Sequence, residues 1–229
     1  MTMKTLPVLF ENSEILIINK PAGIAVQGGE KVFNPVDEIL CQQIGQKVFP
    51  VHRLDKDTAG ILVVAKTSVS AKKWTNIISS GRIKKQYSAI CFGFLPQTQK
   101  NNSTGTFNFP IEKGQSKKDA LTQYKIIDSK IIVTAEEEIH LSFFNLTLGT
   151  GRMHQIRIHL AQAGCPIIAD DKYGNFELNR KFKKLFGIKK LQLAATNLEI
   201  PIDGKKILFN IPLPEHMENT YAKLFLNKQ

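Results

Sequence analysis

Val51-His52-Arg53-Leu54-Asp55-Lys56-Asp57-Thr58-Ala59-Gly60 runs without a break into Ile61-Leu62-Val63-Val64-Ala65-Lys66. Ionisable residues crowd the first part and an apolar run fills the second. The run from Gly60 to Lys66 is short and lacks polar alternation, which predicts a buried strand. A charged loop leading into a buried strand is a good place for functional side chains, because rigid scaffold fixes them. Asp55 is the natural candidate there for a nucleophile or acid/base group, since carboxylates can form covalent intermediates. An Asp turn closed by Thr58 accounts for the same residues without any chemistry.

Outward from this stretch, Val8–Glu11 and Ile15–Asn19 flank the turn signal Asn12-Ser13 and predict a hairpin that ends at Pro21-Ala22-Gly23. Val36 to Ile44 has helical spacing. Ser68 to Ser80 predicts a helix with Ser68 as N-cap and Gly81 just past its end. Further strands are predicted at Tyr87–Phe92, Thr106–Phe109, Ala120–Ile127, Ile131–Ala135, Ile139–Leu148, Leu191–Ile200 and Lys206–Asn210. A helix from Thr150, as its cap, runs to about Ala163, with Gly164 stopping it. Pro214 to Leu226 predicts a terminal helix. Strands outnumber helices and do not alternate with them. The fold class is therefore α+β, with a mixed, largely antiparallel central sheet flanked by helices and loops, and not a doubly wound parallel fold. No linker splits the chain, so residues 1–229 are expected to form a single domain with its core at about 8–214. Pro96 to Lys118, poor in apolar residues, is expected to be a flexible arm.

The formal net charge of +11 predicts a polyanionic partner. No basic amphipathic helix with a strong aromatic face stands out and no run is long enough to span a bilayer, so nucleic acid ranks ahead of membrane. Helix-turn-helix and zinc-finger spacings are missing, which disfavours a DNA-binding module. Part of the charge, such as Lys183, Lys184, Lys189 and Lys190, is equally well explained by solubility alone. The three cysteines, Cys41, Cys91 and Cys165, are far apart and suit a reducing, cytoplasmic setting.

Thr150-Gly151-Arg152-Met153-His154-Gln155-Ile156-Arg157-Ile158-His159-Leu160 is the second charged segment. On a helix, Met153, Ile156, Leu160 and Ala163 share one inward face. Arg157 lies at its border, where a half-buried guanidinium needs a carboxylate or phosphate partner; Asp55 is one candidate. Arg152, near the helix start, suits solvent or a phosphate. His154 and His159 are five apart, not the spacing that aligns two metal ligands on one helical face, so no metal site is expected. Tyr87 opens a strand just after Lys84-Lys85. It is either an ordinary strand aromatic or a ring that stacks on a base beside a positive rim.

Taken together, these segments resemble the RluA-type family of RNA pseudouridine synthases. Ile18-Asn19-Lys20-Pro21-Ala22-Gly23 is similar to its opening NKPxG motif, and His52-Arg53-Leu54-Asp55 with Thr58 and Gly60 to its HRLDxxTSG motif. Lys85-Gln86-Tyr87 resembles KxY. Gly151-Arg152 through His159 resembles GRTHQIRxH, followed by Gly164, Pro166-Ile167, Asp170 and Tyr173-Gly174 in place of GxPIxGDxxYG. Asn210 to Pro214 is similar to the closing APLP. The landmarks keep family order from about residue 8 to 214, covering nearly the whole chain. The departures are Ala59 for Ser, Met153 for Thr, Cys165 for His, Ala169 for Gly and Ala194 for His.

The resemblance implies a pseudouridine synthase-like catalytic domain without an S4 RNA-binding module, its active-site cleft lying across the sheet. Its RNA affinity then comes from its own basic surface. The implied activity is isomerisation of specific uridines in structured tRNA or large-subunit rRNA, with no metal and no cofactor, by a cytoplasmic monomer. Asp55, Tyr87 and Arg157 are the implied catalytic residues. Asp55 starts glycosidic-bond cleavage; attack on ribose, attack on base and proton abstraction all stay open to it. Tyr87 stacks on the target base and Arg157 pairs with Asp55. Arg53 enters the RNA as the nucleotide flips, and His52, Lys20, Asn19 and Arg152 are the implied RNA-binding residues. Gln43 to Phe49, and Asn179-Arg180 before Phe186-Gly187, resemble the tRNA-modifying branch. The alternative is a non-catalytic RNA-binding chaperone or assembly factor on the same fold.

Overall fold

The computed structural model describes residues 5–30, 32–95, 103–113, 116–134 and 136–226. The chain divides into two compact units, Met1–Lys85 with Ala195–Pro212, and Gln86–Ala194 with Leu213–Gln229.

In the first unit the strands β1 (Val8–Glu11), β2 (Ile15–Lys20), β3 (Phe49–Pro50), β4 (Ala59–Ala65), β11 (Leu193–Ile202) and β12 (Lys205–Asn210) accompany the helices α1 (Val36–Ile44) and α2 (Ser68–Ser79). The sheet order is β1-β2-β4-β11, with β3 on β4 and β12 on β11. The pairings β1/β2, β2/β4, β3/β4 and β11/β12 are antiparallel. The predicted hairpin forms because the Asn12 side chain accepts from the Glu14 and Ile15 amides, each at 2.9 Å, which closes the turn. β4 is buried along its whole length, as its apolar run requires. Ile15, Ile17, Ile61, Val63, Trp74 and Ile200 build the core around it. Gly60 has φ +113, and a Cβ there would run into the Ala195 backbone, so only glycine lets β4 and β11 approach so closely. Helix α2 begins one residue earlier than expected: Thr67, not Ser68, is the N-cap, accepting from the Ser70 amide.

In the second unit the sheet order is β5-β10-β9-β6, from β5 (Lys84–Phe92), β6 (Thr104–Phe107), β9 (Thr122–Val133) and β10 (Glu138–Leu148). The pairings β5/β10, β9/β10 and β6/β9 are antiparallel. β7 (Ile111–Lys113) and β8 (Ser116–Lys118) form a separate hairpin. Of the expected arm, residues 96–102, 114 and 115 lie outside the described residues, and the rest holds β6 and this hairpin. The two strands expected at Ala120–Ile127 and Ile131–Ala135 are one strand of 12 residues, β9; Ala135 lies outside the described residues. Asp128-Ser129 looks like a break in sequence. Here it faces a register shift between Phe143 and Phe144 on β10, and the Asp128 carboxylate accepts from the Tyr221 hydroxyl at 2.8 Å. That bond ties the terminal helix α5 (Glu215–Tyr221), continued by a π-helical turn at Ala222–Leu226, to the strand.

Helix α3 (Gln155–Gln162) starts later than the sequence predicts. Thr150 is not its cap. The Thr150 hydroxyl donates to the Gln155 side chain at 2.7 Å and accepts from the Leu121 amide at 2.9 Å. The N-cap is His154, in the left-handed region at φ 56. Met153 therefore precedes the helix and is 51% exposed, not packed inward. Helix α4 (Phe176–Phe186) was not predicted, although its signals are in the sequence. Asn175 caps it by accepting from the Leu178 amide, and Gly187 ends it in the left-handed region at φ 72.

Candidate active site

The first unit fixes the loop of Asp55 from below. Val51, Leu54, Thr58 and Ala59 are buried, Asp55 is half-buried, and Arg53, Lys56 and Asp57 are exposed. The Thr58 amide donates to the Asp55 carbonyl at 3.1 Å, so Thr58 does close a turn. The Val63 amide of β4 donates to Nε2 of His52 at 3.0 Å. That nitrogen must be unprotonated to accept. Burial, and next the charge of Lys85, push the His52 pKa down to about 3, against a backbone hydrogen bond at Arg53. His52 is therefore neutral and bolts the loop to β4. It brings no charge to a phosphate.

Lys20 needs a larger correction. Its side chain has no exposed surface. Its ammonium donates to the carbonyls of Pro21 (3.1 Å), Ile24 (2.8 Å) and Lys56 (3.0 Å). An ammonium has three donors, and all three are used. Lys20 cannot reach a phosphate; it clamps the Pro21–Ile24 turn to the Asp55 loop. Burial pulls its pKa down to about 8, while Asp57 and Asp55 act against that shift. Asn19, also expected at the RNA, is half-buried in β2 beside Ile61.

In the second unit Arg157 is buried on α3. Its Nε and Nη2 donate to the two oxygens of Asp170, each at 2.7 Å, and Nη2 also reaches Asp171 at 3.0 Å. This fork matches a planar guanidinium to a carboxylate. One Asp170 oxygen also accepts from the Lys172 and Tyr173 amides at 2.9 Å. Burial acts to raise the Asp170 pKa, but Arg157 and those two amides outweigh it and hold the carboxyl below its ordinary value. The Tyr173 ring lies 5.3 Å from the Arg157 guanidinium, and its hydroxyl is 3.0 Å from Nδ1 of His154. Tyr87 is buried in β5, in register with Leu146 of β10. Arg152 is exposed, its Nε donating to the Asp119 carbonyl at 3.1 Å.

Sequence reasoning missed two residues here. Gln155 is buried and uses its whole amide: Oε1 accepts from the Thr150 hydroxyl and the Arg152 amide, while Nε2 donates to the Leu121 carbonyl and the Thr122 hydroxyl. A glutamine inside a helical pattern gives no warning of such a role. Asn179 on α4 accepts from the Ala169 amide at 2.8 Å and donates to the Asp170 carbonyl at 2.9 Å, so α4 is fastened directly to the Asp170 turn. Ala169, where the resembled motif has glycine, sits at φ 59.

Comparison with known proteins gives these two halves a common context. Residues 14–162 match the family model described as RNA pseudouridylate synthase. The chain belongs to that family, and it is an RNA-modifying isomerase. Among curated relatives, Ribosomal large subunit pseudouridine synthase C of Rickettsia felis is 32% identical over 225 residues, covering 94% of this chain and 70% of the relative. The protein of that name from Rickettsia prowazekii is 35% identical over 216 residues, covering 90% and 68%. Ribosomal large subunit pseudouridine synthase D of Buchnera aphidicola is 32% identical over 243 residues, covering 97% and 74%. The solved structure of Human RNA Pseudouridylate Synthase Domain Containing 4 superposes with a TM-score of 0.76 at 22% identity, over 95% of this chain and 92% of that one. It has the same α+β fold with a mixed, largely antiparallel sheet.

Proposed function

We propose that this enzyme isomerises uridines in large-subunit ribosomal RNA, with Asp55 as its catalytic carboxylate. The choice of RNA is carried by one observation: relatives named for the ribosomal large subunit match at 32% and 35% identity over 94% and 90% of the chain. Of the residues that resemble the tRNA-modifying branch, three already serve the fold. Gln43 bonds both backbone groups of Leu6, Gly45 ends α1, and Asn179 holds the Asp170 turn.

In the proposed reaction Asp55 opens the bond between ribose C1′ and uracil N1. The base turns in place and C5 joins C1′; the C5 hydrogen leaves as a proton and N1 gains one. No atom is added, so the site's task is to hold both fragments and keep water out. Tyr87 stacks on the base. Arg157 belongs to the same proposed catalytic set. The reacting atoms are hidden in stacked RNA, so the nucleotide must flip, which costs a few kcal/mol, and exposed Arg53 fills its place. Arg152 and Asn19 line the RNA backbone. We place the enzyme in the cytoplasm as a monomer.

Tritium release from 23S rRNA and tRNA transcripts carrying 5-³H-uridine tests this. Release from 23S rRNA by wild type, and not by Asp55→Asn, is the expected result. Release from tRNA alone overturns the substrate. Silence on both RNAs with binding intact favours the non-catalytic RNA-binding factor.

A further inference from the structure

We infer that the outer face of α4 and the turn after it form a second RNA-contact ridge, which grips backbone phosphates beyond the target nucleotide. The inference rests on the proposed activity toward RNA. Lys183 and Lys184 lie three and four residues after Arg180 and so share its helix face; Lys189 and Lys190 continue the charge past Gly187. All five are exposed. None has an ion-pair partner among the described residues. Lys181 on the same helix shows what this chain does with a lysine that serves the fold. It is 18% exposed and reaches Glu136 at 2.8 Å and Glu137 at 2.9 Å.

Solubility and the helix dipole are the alternative explanations for such charge. The dipole accounts for Lys183 and Lys184 in the last turn, but its effect fades within that turn, so it leaves Arg180, Lys189 and Lys190 unexplained. Solubility does not require five exposed cations within eleven residues, with Phe176 exposed four residues before Arg180. A row of cations with an exposed ring suits phosphates and an unstacked base. Asn179 fastens the helix to the Asp170 turn, which holds Arg157. Within its unit the ridge therefore keeps a fixed distance from Arg157.

The test compares wild type, a ridge variant (Arg180→Gln, Lys183→Gln, Lys184→Gln) and a charge-matched control (Lys73→Gln, Lys117→Gln, Lys206→Gln). Binding to a 23S rRNA transcript is measured across a salt series. Each phosphate that the protein no longer neutralises makes the plot of log affinity against log salt shallower by about 0.7–0.9. The ridge variant should be shallower by about two to three, and weaker at low salt by roughly tenfold or more. The control should track wild type. In tritium release the ridge variant should raise KM and leave kcat unchanged. If ridge and control variants weaken alike, net charge is the cause and the inference fails. It fails too if the ridge variant binds RNA like wild type but loses its hold on phosphatidylserine vesicles, which assigns the face to membrane. Wild type that binds through the ridge yet releases no tritium from any RNA overturns the proposed activity and leaves the ridge standing.

Discussion

The loop that carries Asp55 and the turn that carries Asp170 are both short and both rest on a buried cation, but they use that cation differently. Arg157 bonds the Asp170 carboxylate itself, which also takes two backbone amides. Nothing is left of that carboxylate for chemistry. Lys20 bonds only backbone carbonyls and touches Asp55 and Asp57 through its charge alone. A loop held by its main chain and by His52 stays in place while its carboxylate remains half-exposed. The difference separates an aspartate that builds from one suited to react.

The sharpest way to break the comparison is to make the same change at both positions. Asp55→Asn should cut turnover by about three orders of magnitude or more while melting near wild type, as loss of a covalent or acid–base group does. Asp170→Asn should lower stability by about 3–5 kcal/mol in urea unfolding, because it takes the charge from the carboxylate that forks a buried guanidinium. Equal stability losses at both sites would erase the distinction.

Next is the pH response of Lys20. Its folded pKa of about 8 lies below the ordinary lysine value of 10.5. Between those values the unfolded chain holds more protons, so stability rises with pH there. Wild type should therefore gain on Lys20→Met by up to about 3 kcal/mol from pH 8 to 10.5, read from paired urea curves. A constant gap would mean that the ammonium is not confined as described. The smallest effect is expected at Ala169, whose φ of 59 strains any residue with a Cβ. Ala169→Gly should stabilise by about 1 kcal/mol in thermal melts, with turnover unchanged.

What the sequence disclosed follows the same physics. The β4 run and α1 were readable because burial and period act locally. The start of α3 was not, because it is set by Gln155 reaching Leu121 and Thr122, residues more than thirty positions away. Lys20 looked like a surface cation because nothing local shows that three carbonyls surround it. Asp55 stood out only as a charged loop residue until ordered motifs gave it company. Helix α4 had readable caps at Asn175 and Gly187, but its run of lysines masked the one buried face centred on Phe182.

The path of the chain through its first unit has a consequence for synthesis. The core that surrounds β4 needs Leu198, Ile200, Ile202 and Ile211, which come more than a hundred residues after Ile83, the last of its earlier members. A ribosome making this chain has therefore released the Asp55 loop long before the strands that complete its core exist. The residues of the second unit up to Ala194 emerge in between. The Asp55 loop is among the first parts made, and its supporting core is among the last to be completed.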